Sequence, residues 1–171
     1  MFALRNLPVA EVAPYIAAQI VGAFAGVAAA HGLFEAPLFF ASQHVRTGPA
    51  QWWSEFVATF GLIAVIIGCS RSRPSVTPFA VASYITAAYW FTSSPSFANP
   101  AVTLARSATD TLAGIRPGDA PGFIIAALLG AGAATLVFCW LYPPAPRDAT
   151  VVGTVAPSDF ARATHRSHKL P

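Results

Sequence analysis

Charged residues fall along this chain so as to leave four long gaps. Residues 12–34, 56–70, 74–105 and 120–146 hold no Asp, Glu, Lys or Arg, giving neutral runs of 23, 15, 32 and 27 residues. Crossing a bilayer core takes roughly 20 apolar residues as helix. The pattern therefore predicts an all-α membrane protein with four transmembrane helices, at about 8–34, 52–69, 76–92 and 122–142. Gly22, Gly26 and Ala30 place small residues four apart on one face of the first span, which lets another helix approach closely. Trp52 and Trp53 open the second span as an aromatic pair expected at headgroup level.

The segment between the third and fourth spans has both ends on one side of the membrane, yet it holds the helix-compatible run Asn99-Pro100-Ala101-Val102-Thr103-Leu104-Ala105. Asn is a favoured helix cap and Pro a favoured first helical residue. A helix is predicted from Asn99 to about residue 112, where Gly114 and Pro117 end it. Its rise of roughly 20 Å is too short to cross. Such a re-entrant half-helix is tolerated only where protein buries it or it lines a water-filled cavity, so it marks a pore or substrate site.

Composition narrows the function. Charged residues make up 10% of the chain and hydrophobic ones 55%, against about 25% charge in soluble domains. The net charge of +3 does not indicate nucleic acid, because the basic residues form no stripe. They sort by membrane side instead. Arg5, Arg71, Arg73, Arg147, Arg162, Arg166 and Lys169 share one side, seven of the ten Lys and Arg, leaving Arg46, Arg106 and Arg116 opposite. The positive-inside rule makes the richer side cytoplasmic, with the N-terminus and a disordered tail at 143–171. Cys69 and Cys139 read as small buried hydrophobes, and His31 and His44 as solvated groups near the outer side. With no nucleophile and base arrangement, no zinc spacing and no phosphate-cradling glycine loop, an enzyme is disfavoured and no cofactor is implied.

Asn99-Pro100-Ala101 on a half-helix resembles the signature of the aquaporin family, the major intrinsic proteins. Pro14-Tyr15-Ile16-Ala17-Ala18-Gln19 with Gly22 is similar to that family's third transmembrane helix, and Glu55-Phe56 with Thr59-Phe60-Gly61-Leu62 to its fourth. An internal echo agrees: residues 15–22, YIAAQIVG, pair with 123–130, FIIAALLG, as inverted-repeat channels require. The family has six spans and two such half-helices, so the resemblance implies an aquaporin-like bundle lacking its first two helices and first half-helix.

The implied activity is passive passage of water and small uncharged solutes across the lipid bilayer, in a homo-oligomer, tetrameric by family habit, at the cell membrane. A non-conducting remnant of such a channel is one alternative. Part of a secondary transporter is another, weakened because no mid-membrane ionisable pair is present to couple ions. In the family's architecture Asn99 caps its helix and turns its amide N–H to the passing solute. Many members place Arg directly after the tripeptide, where this chain has Val102, so the narrowest point is expected to be wider and to favour solutes such as glycerol. Ala87 falls near a position that is histidine in water-selective members, with Thr86 and Ala88 one residue either way.

Arg106, seven residues after Asn99, returns to the same helix face. It stands either as the replacement outer cation or as an interfacial Arg paired with Asp110. Glu55 corresponds to a glutamate that anchors the re-entrant loop; the competing reading is an interfacial carboxylate facing water. Gln19 would brace the first half-helix, so its amide is expected to lack its usual partners. Ala127 stands where the echo with Gln19 suggests glutamine.

Overall fold

The computed structural model describes residues 8–142. The chain runs through α1 (Val9–Leu33), α2 (Pro49–Ser72), α3 (Thr77–Phe91), the short α4 (Pro100–Arg106) and α5 (Ala120–Leu141), with single 3₁₀ turns at Pro74–Val76 and Pro117–Asp119. Proline sets most starts: it occupies the opening turns of α2, α3, α4 and α5, where its missing N–H has no intrahelical acceptor to lose. The tail at 143–171 lies outside the described residues.

Among the described residues, α1, α2 and the stretch Pro117–Leu141 are long and apolar enough to cross a membrane. The third expected span forms as α3 but has only 15 residues, a rise of about 22 Å, so three helices rather than four meet that length. The half-helix is also shorter than its sequence suggests, ending at Arg106 instead of near residue 112. Competing partners explain this. Ser107 and Ala108 donate back three residues, to Leu104 and Ala105, and tighten the last turn. Beyond them, Thr109 goes to His31 and the Asp110 carboxylate to Gln43 and Ser42. Those long-range bonds take the segment out of helical register.

α2 is the hub, packed along α5 on one side and α3 on the other, while α4 lies between α1 and α5. Glycines let α2 approach both neighbours. A Cβ added at Gly130 would lie 2.4 Å from the Phe56 carbonyl oxygen, and one at Gly61 2.2 Å from the Tyr84 hydroxyl, which itself donates to the Ala58 carbonyl at 2.9 Å. Phe123 is fully buried and tilts against Phe97 at 5.5 Å.

The sequence echo is asymmetric in space. Phe123 is fully buried while Tyr15 is 59% exposed, and Ala127 is buried while Gln19 is exposed. Gly130 is tightly packed, but a Cβ added at Gly22 or Gly26 would meet no other segment within 4 Å. The small-residue face of α1 therefore makes no close helix contact among the described residues. Cys69 and Cys139 are both free thiols, half-buried and exposed respectively, so the expected burial does not hold within this chain.

The echo supplies a matched pair of tests. Gly130→Ala should destabilise the α2–α5 contact by roughly 1–3 kcal/mol through overpacking, whereas Gly22→Ala should stay within about 0.5 kcal/mol. Equilibrium unfolding in mixed detergent measures both. Equal effects at the two sites would contradict the close approach at Gly130.

Candidate functional site

The site begins with one carboxylate. Glu55, in the second turn of α2, is fully buried. It accepts the backbone N–H of Phe97 at 3.2 Å and that of Ala98 on its other oxygen, with Ser94 as a further partner. Its neighbour Ser54 accepts the N–H of Ser93. The loop thus gripped is under backbone strain: Ser96 and Ala98 both have φ of 50°, a left-handed region that costs a non-glycine residue about 1–2 kcal/mol. A hydrogen bond to a charged acceptor contributes roughly 1.5–3 kcal/mol net. The two bonds accepted by Glu55 work against the strain at Pro95, Ser96 and Ala98, the residues of this loop with positive φ. Glu55 is thus buried against the loop and does not face water.

That loop delivers Asn99 to the start of α4. Its Oδ1 accepts the Ala101 N–H at 2.8 Å, and its carbonyl accepts both the N–H and the hydroxyl of Thr103 at 3.0 Å. Pro100 lacks an N–H to satisfy. The Asn99 Nδ2 donates to Gln19 Oε1 of α1 at 3.3 Å. The Gln19 acceptor is thus met by Asn99 of the half-helix present, a different partner from the first half-helix that the resemblance assigns to it.

Ala101, Thr103 and Ala105 face inward, while Asn99, Val102 and Arg106 form one stripe. That stripe lines a cavity of about 250 Å³ whose other walls include Leu62, Ile85, Tyr89, Ser96 and Phe97. Val102 and Arg106 also line a second cavity, of about 470 Å³, against Ala23, Gly26, Val27 and Ala30 of α1. Ala87 does not join them. It is exposed, and Ile85 and Tyr89 are the α3 residues at the cavity. Positions 85 and 89 share a helix face from which 87 is turned about 200° away, so the expected register is corrected by two residues. Neither Thr86 nor Ala88 lines the cavity; the former is exposed and the latter buried.

Arg106 does not pair with Asp110. It donates to the Ala113 carbonyl at 3.3 Å, and its guanidinium lies 5.7 Å from the Phe97 ring centre. A second arginine approaches the same ring. Arg46, from the α1–α2 connection, is 5% exposed. It donates from Nε to the Gly114 carbonyl at 2.7 Å and from Nη2 to that of Leu112, with its guanidinium 5.8 Å from the same ring. Burial and then the Arg106 cation push the Arg46 guanidinium below its usual pKa, against the pull of Glu55.

His31 is likewise buried rather than solvated. Its ring bridges the Leu38 carbonyl at 2.6 Å and the Thr109 hydroxyl at 2.7 Å, and stacks on Phe40. His44 is exposed, as expected. Neither Arg46 nor His31 announces itself in sequence, because every partner that buries it lies on another segment. The nearest signal is the Phe39-Phe40 pair beside His31.

Two substitutions check the local energetics. Glu55→Gln retains one acceptor but sets an amide donor against a backbone donor. It should cost about 1.5–3 kcal/mol and raise hydrogen exchange at Phe97 and Ala98 at least tenfold; unchanged exchange would refute the anchor. Asn99→Ala removes the cap and should cost about 1 kcal/mol, read by the same unfolding assay, with no loss at all counting against the cap.

No family model and no solved structure matches the chain. It is 57% identical over 135 residues to the aquaglyceroporin AqpS of Rhizobium meliloti (strain 1021), a match covering 79% of this chain and 58% of that protein. The chain thus spans a little over half the length of the relative it matches. Identity at that level, on an all-helical chain with three helices fit to cross a membrane, makes this an integral membrane protein of the aquaporin family, the major intrinsic proteins.

Proposed function

We propose that the chain serves passive passage of water and small neutral solutes such as glycerol. The observation that carries this reading is the stripe Asn99, Val102 and Arg106 along a cavity of about 250 Å³, in a chain 57% identical to an aquaglyceroporin. The cavity offers a solute two kinds of wall. Leu62, Ile85 and Val102 suit its C–H groups, while Asn99 and Arg106 are donors for its oxygens. A polyol presents both surfaces. A cation finds no carboxylate in this lining and meets the Arg106 guanidinium there.

Val102 supports a preference for solutes larger than water. It stands where the family resemblance places an arginine, and a short aliphatic side chain leaves a wider and less polar gap. The loop with Arg71 and Arg73 is assigned to the cytoplasm by the positive-inside rule, which puts Arg46 and Arg106 at the outer mouth. Assembly as a homo-oligomer, with four copies by family habit, belongs to the same reading. A second reading, a membrane protein that does not conduct, is favoured by the α1 face on which a Cβ added at Gly22 or Gly26 would meet no other segment within 4 Å.

Stopped-flow light scattering on proteoliposomes separates the two. The channel reading expects glycerol and water permeabilities at least several-fold above protein-free vesicles, with Val102→Arg lowering glycerol permeability about tenfold while water flux falls less. Permeabilities equal to those of empty vesicles would establish the non-conducting reading.

A further inference from the structure

We propose that Arg46 is a selectivity residue. With Arg106 it forms a two-arginine cationic element around Phe97 that excludes cations at the outer mouth, where Val102 carries no charge. The inference rests on the channel reading. Its starting point is geometric: the two guanidiniums lie 5.8 and 5.7 Å from one phenyl ring. Between them they take three consecutive carbonyls, those of Leu112, Ala113 and Gly114. They come from two separate segments, one from the α1–α2 connection and one from the end of α4. Phe97 lies between them on the loop that ends in Asn99.

The charge of this pair is not cancelled locally. Among the described residues the ion pair within contact distance is Arg116 with Asp119, at 2.9 Å. Asp119 spends its other oxygen on the backbone N–H of Arg46. Asp110 accepts from Gln43 and Ser42. Glu55 is the carboxylate that acts on Arg46, and its oxygens are already committed to the Phe97 and Ala98 amides. His31, which shares the larger cavity with Arg106, bridges Leu38 and Thr109.

The charges that act on Arg46 are the Arg106 cation and the Glu55 carboxylate. Hydrogen bonds do not remove the charge of Asp110 either, but it is not among those acting on Arg46. Around the pair, two cations thus stand against one carboxylate and leave a net positive field beside the face of α4 that lines both cavities. Arg46 is buried, so mobile salt screens it less than it screens a surface charge. The carbonyl bonds satisfy its N–H groups without neutralising it, which is what a fixed repulsive charge requires. A neutral polyol crosses such a field at little cost, whereas a cation losing water there is repelled.

A purely structural role for Arg46, pinning the outer connection onto residues 112–114, predicts something different. Lysine keeps the charge but lacks the fork that reaches two carbonyls; glutamine keeps a donor but loses the charge. The purified full chain is reconstituted, and potassium flux under a potassium gradient is read with a potential-sensitive dye alongside glycerol swelling. Arg46→Gln should raise the ratio of potassium to glycerol permeability at least tenfold, Arg106→Gln should do the same, and Arg46→Lys should hold the ratio within about twofold of the unmodified chain. The result should persist at high ionic strength.

An unchanged ratio in folded Arg46→Gln, or a raised ratio in folded Arg46→Lys, overturns the proposal while leaving the channel reading intact. Should Arg46→Gln fail to fold, the Arg46→Lys ratio decides by the same criterion. Absence of both glycerol and water flux in the unmodified chain overturns the channel reading and this inference with it.

Discussion

The grip of Glu55 on the amides of Phe97 and Ala98 is the interaction on which the rest of the site depends. A carboxylate buried in a membrane-spanning helix is costly unless its lone pairs are met. Here they are met by backbone donors that themselves have no helix or sheet to bond to. Each side solves the other's problem. The loop after α3 can turn inward through three residues of positive φ, Pro95, Ser96 and Ala98, because its amides end on a charge, and the charge can be buried because the loop delivers them. The direction of α4 follows, since Asn99 comes one residue after Ala98. So does the position of Phe97, which rests on Phe123 of α5 and carries an arginine near its ring from each of two segments.

Around that anchor the bundle is uneven. α2 and α5 meet where Gly130 comes against the backbone of Phe56, and α2 and α3 meet where Gly61 faces Tyr84. These contacts use small residues to bring backbones together, the packing available when lipid tails remove the hydrophobic drive between helices. α1 is joined differently. It meets the rest through α4, through the Asn99–Gln19 bond and through the knot of His31 with Thr109 and Leu38. Beside the ring contact of Phe24 with Phe39, the contacts that fix α1 include polar ones at specific points along it, so its orientation depends in part on individual hydrogen bonds.

What the sequence made legible was local or periodic. Charge gaps located the helices, because a span is a length of uncharged chain. Asn99-Pro100 announced a helix start, because capping and the missing proline donor act within one turn. Glu55 was legible only through the family resemblance, and its burial needed the loop's geometry. Whatever depended on partners far along the chain stayed hidden. Arg46 looks like any arginine in a loop with proline and glycine on either side; its burial is set by the carbonyls of Leu112 and Gly114, 66 and 68 residues away. α4 ends early for the same reason, since the bonds that pull Thr109 and Asp110 aside reach across 78 and 67 residues. The displacement from Ala87 to Ile85 and Tyr89 is a rotation of α3, and an offset of two residues lies beyond what distance from a motif can resolve.

The placement of charge relative to Val102 has a consequence for how the proposed channel discriminates. An arginine directly after the tripeptide would narrow the passage and repel cations at one level. In this chain Arg106 stands four residues further along α4, roughly 6 Å outward, and Arg46 joins it in the outer layer. On the proposed reading, size selection falls to Val102 with Leu62 and Ile85, where the walls are apolar, and charge selection to the arginines above. Separating the two removes a constraint on the narrow part: it can widen for a bulkier solute without giving up the repulsion of cations. The cost is carried by the outer loops, which must bury a cation, and the carbonyls of Leu112, Ala113 and Gly114 are the groups that make that burial tolerable.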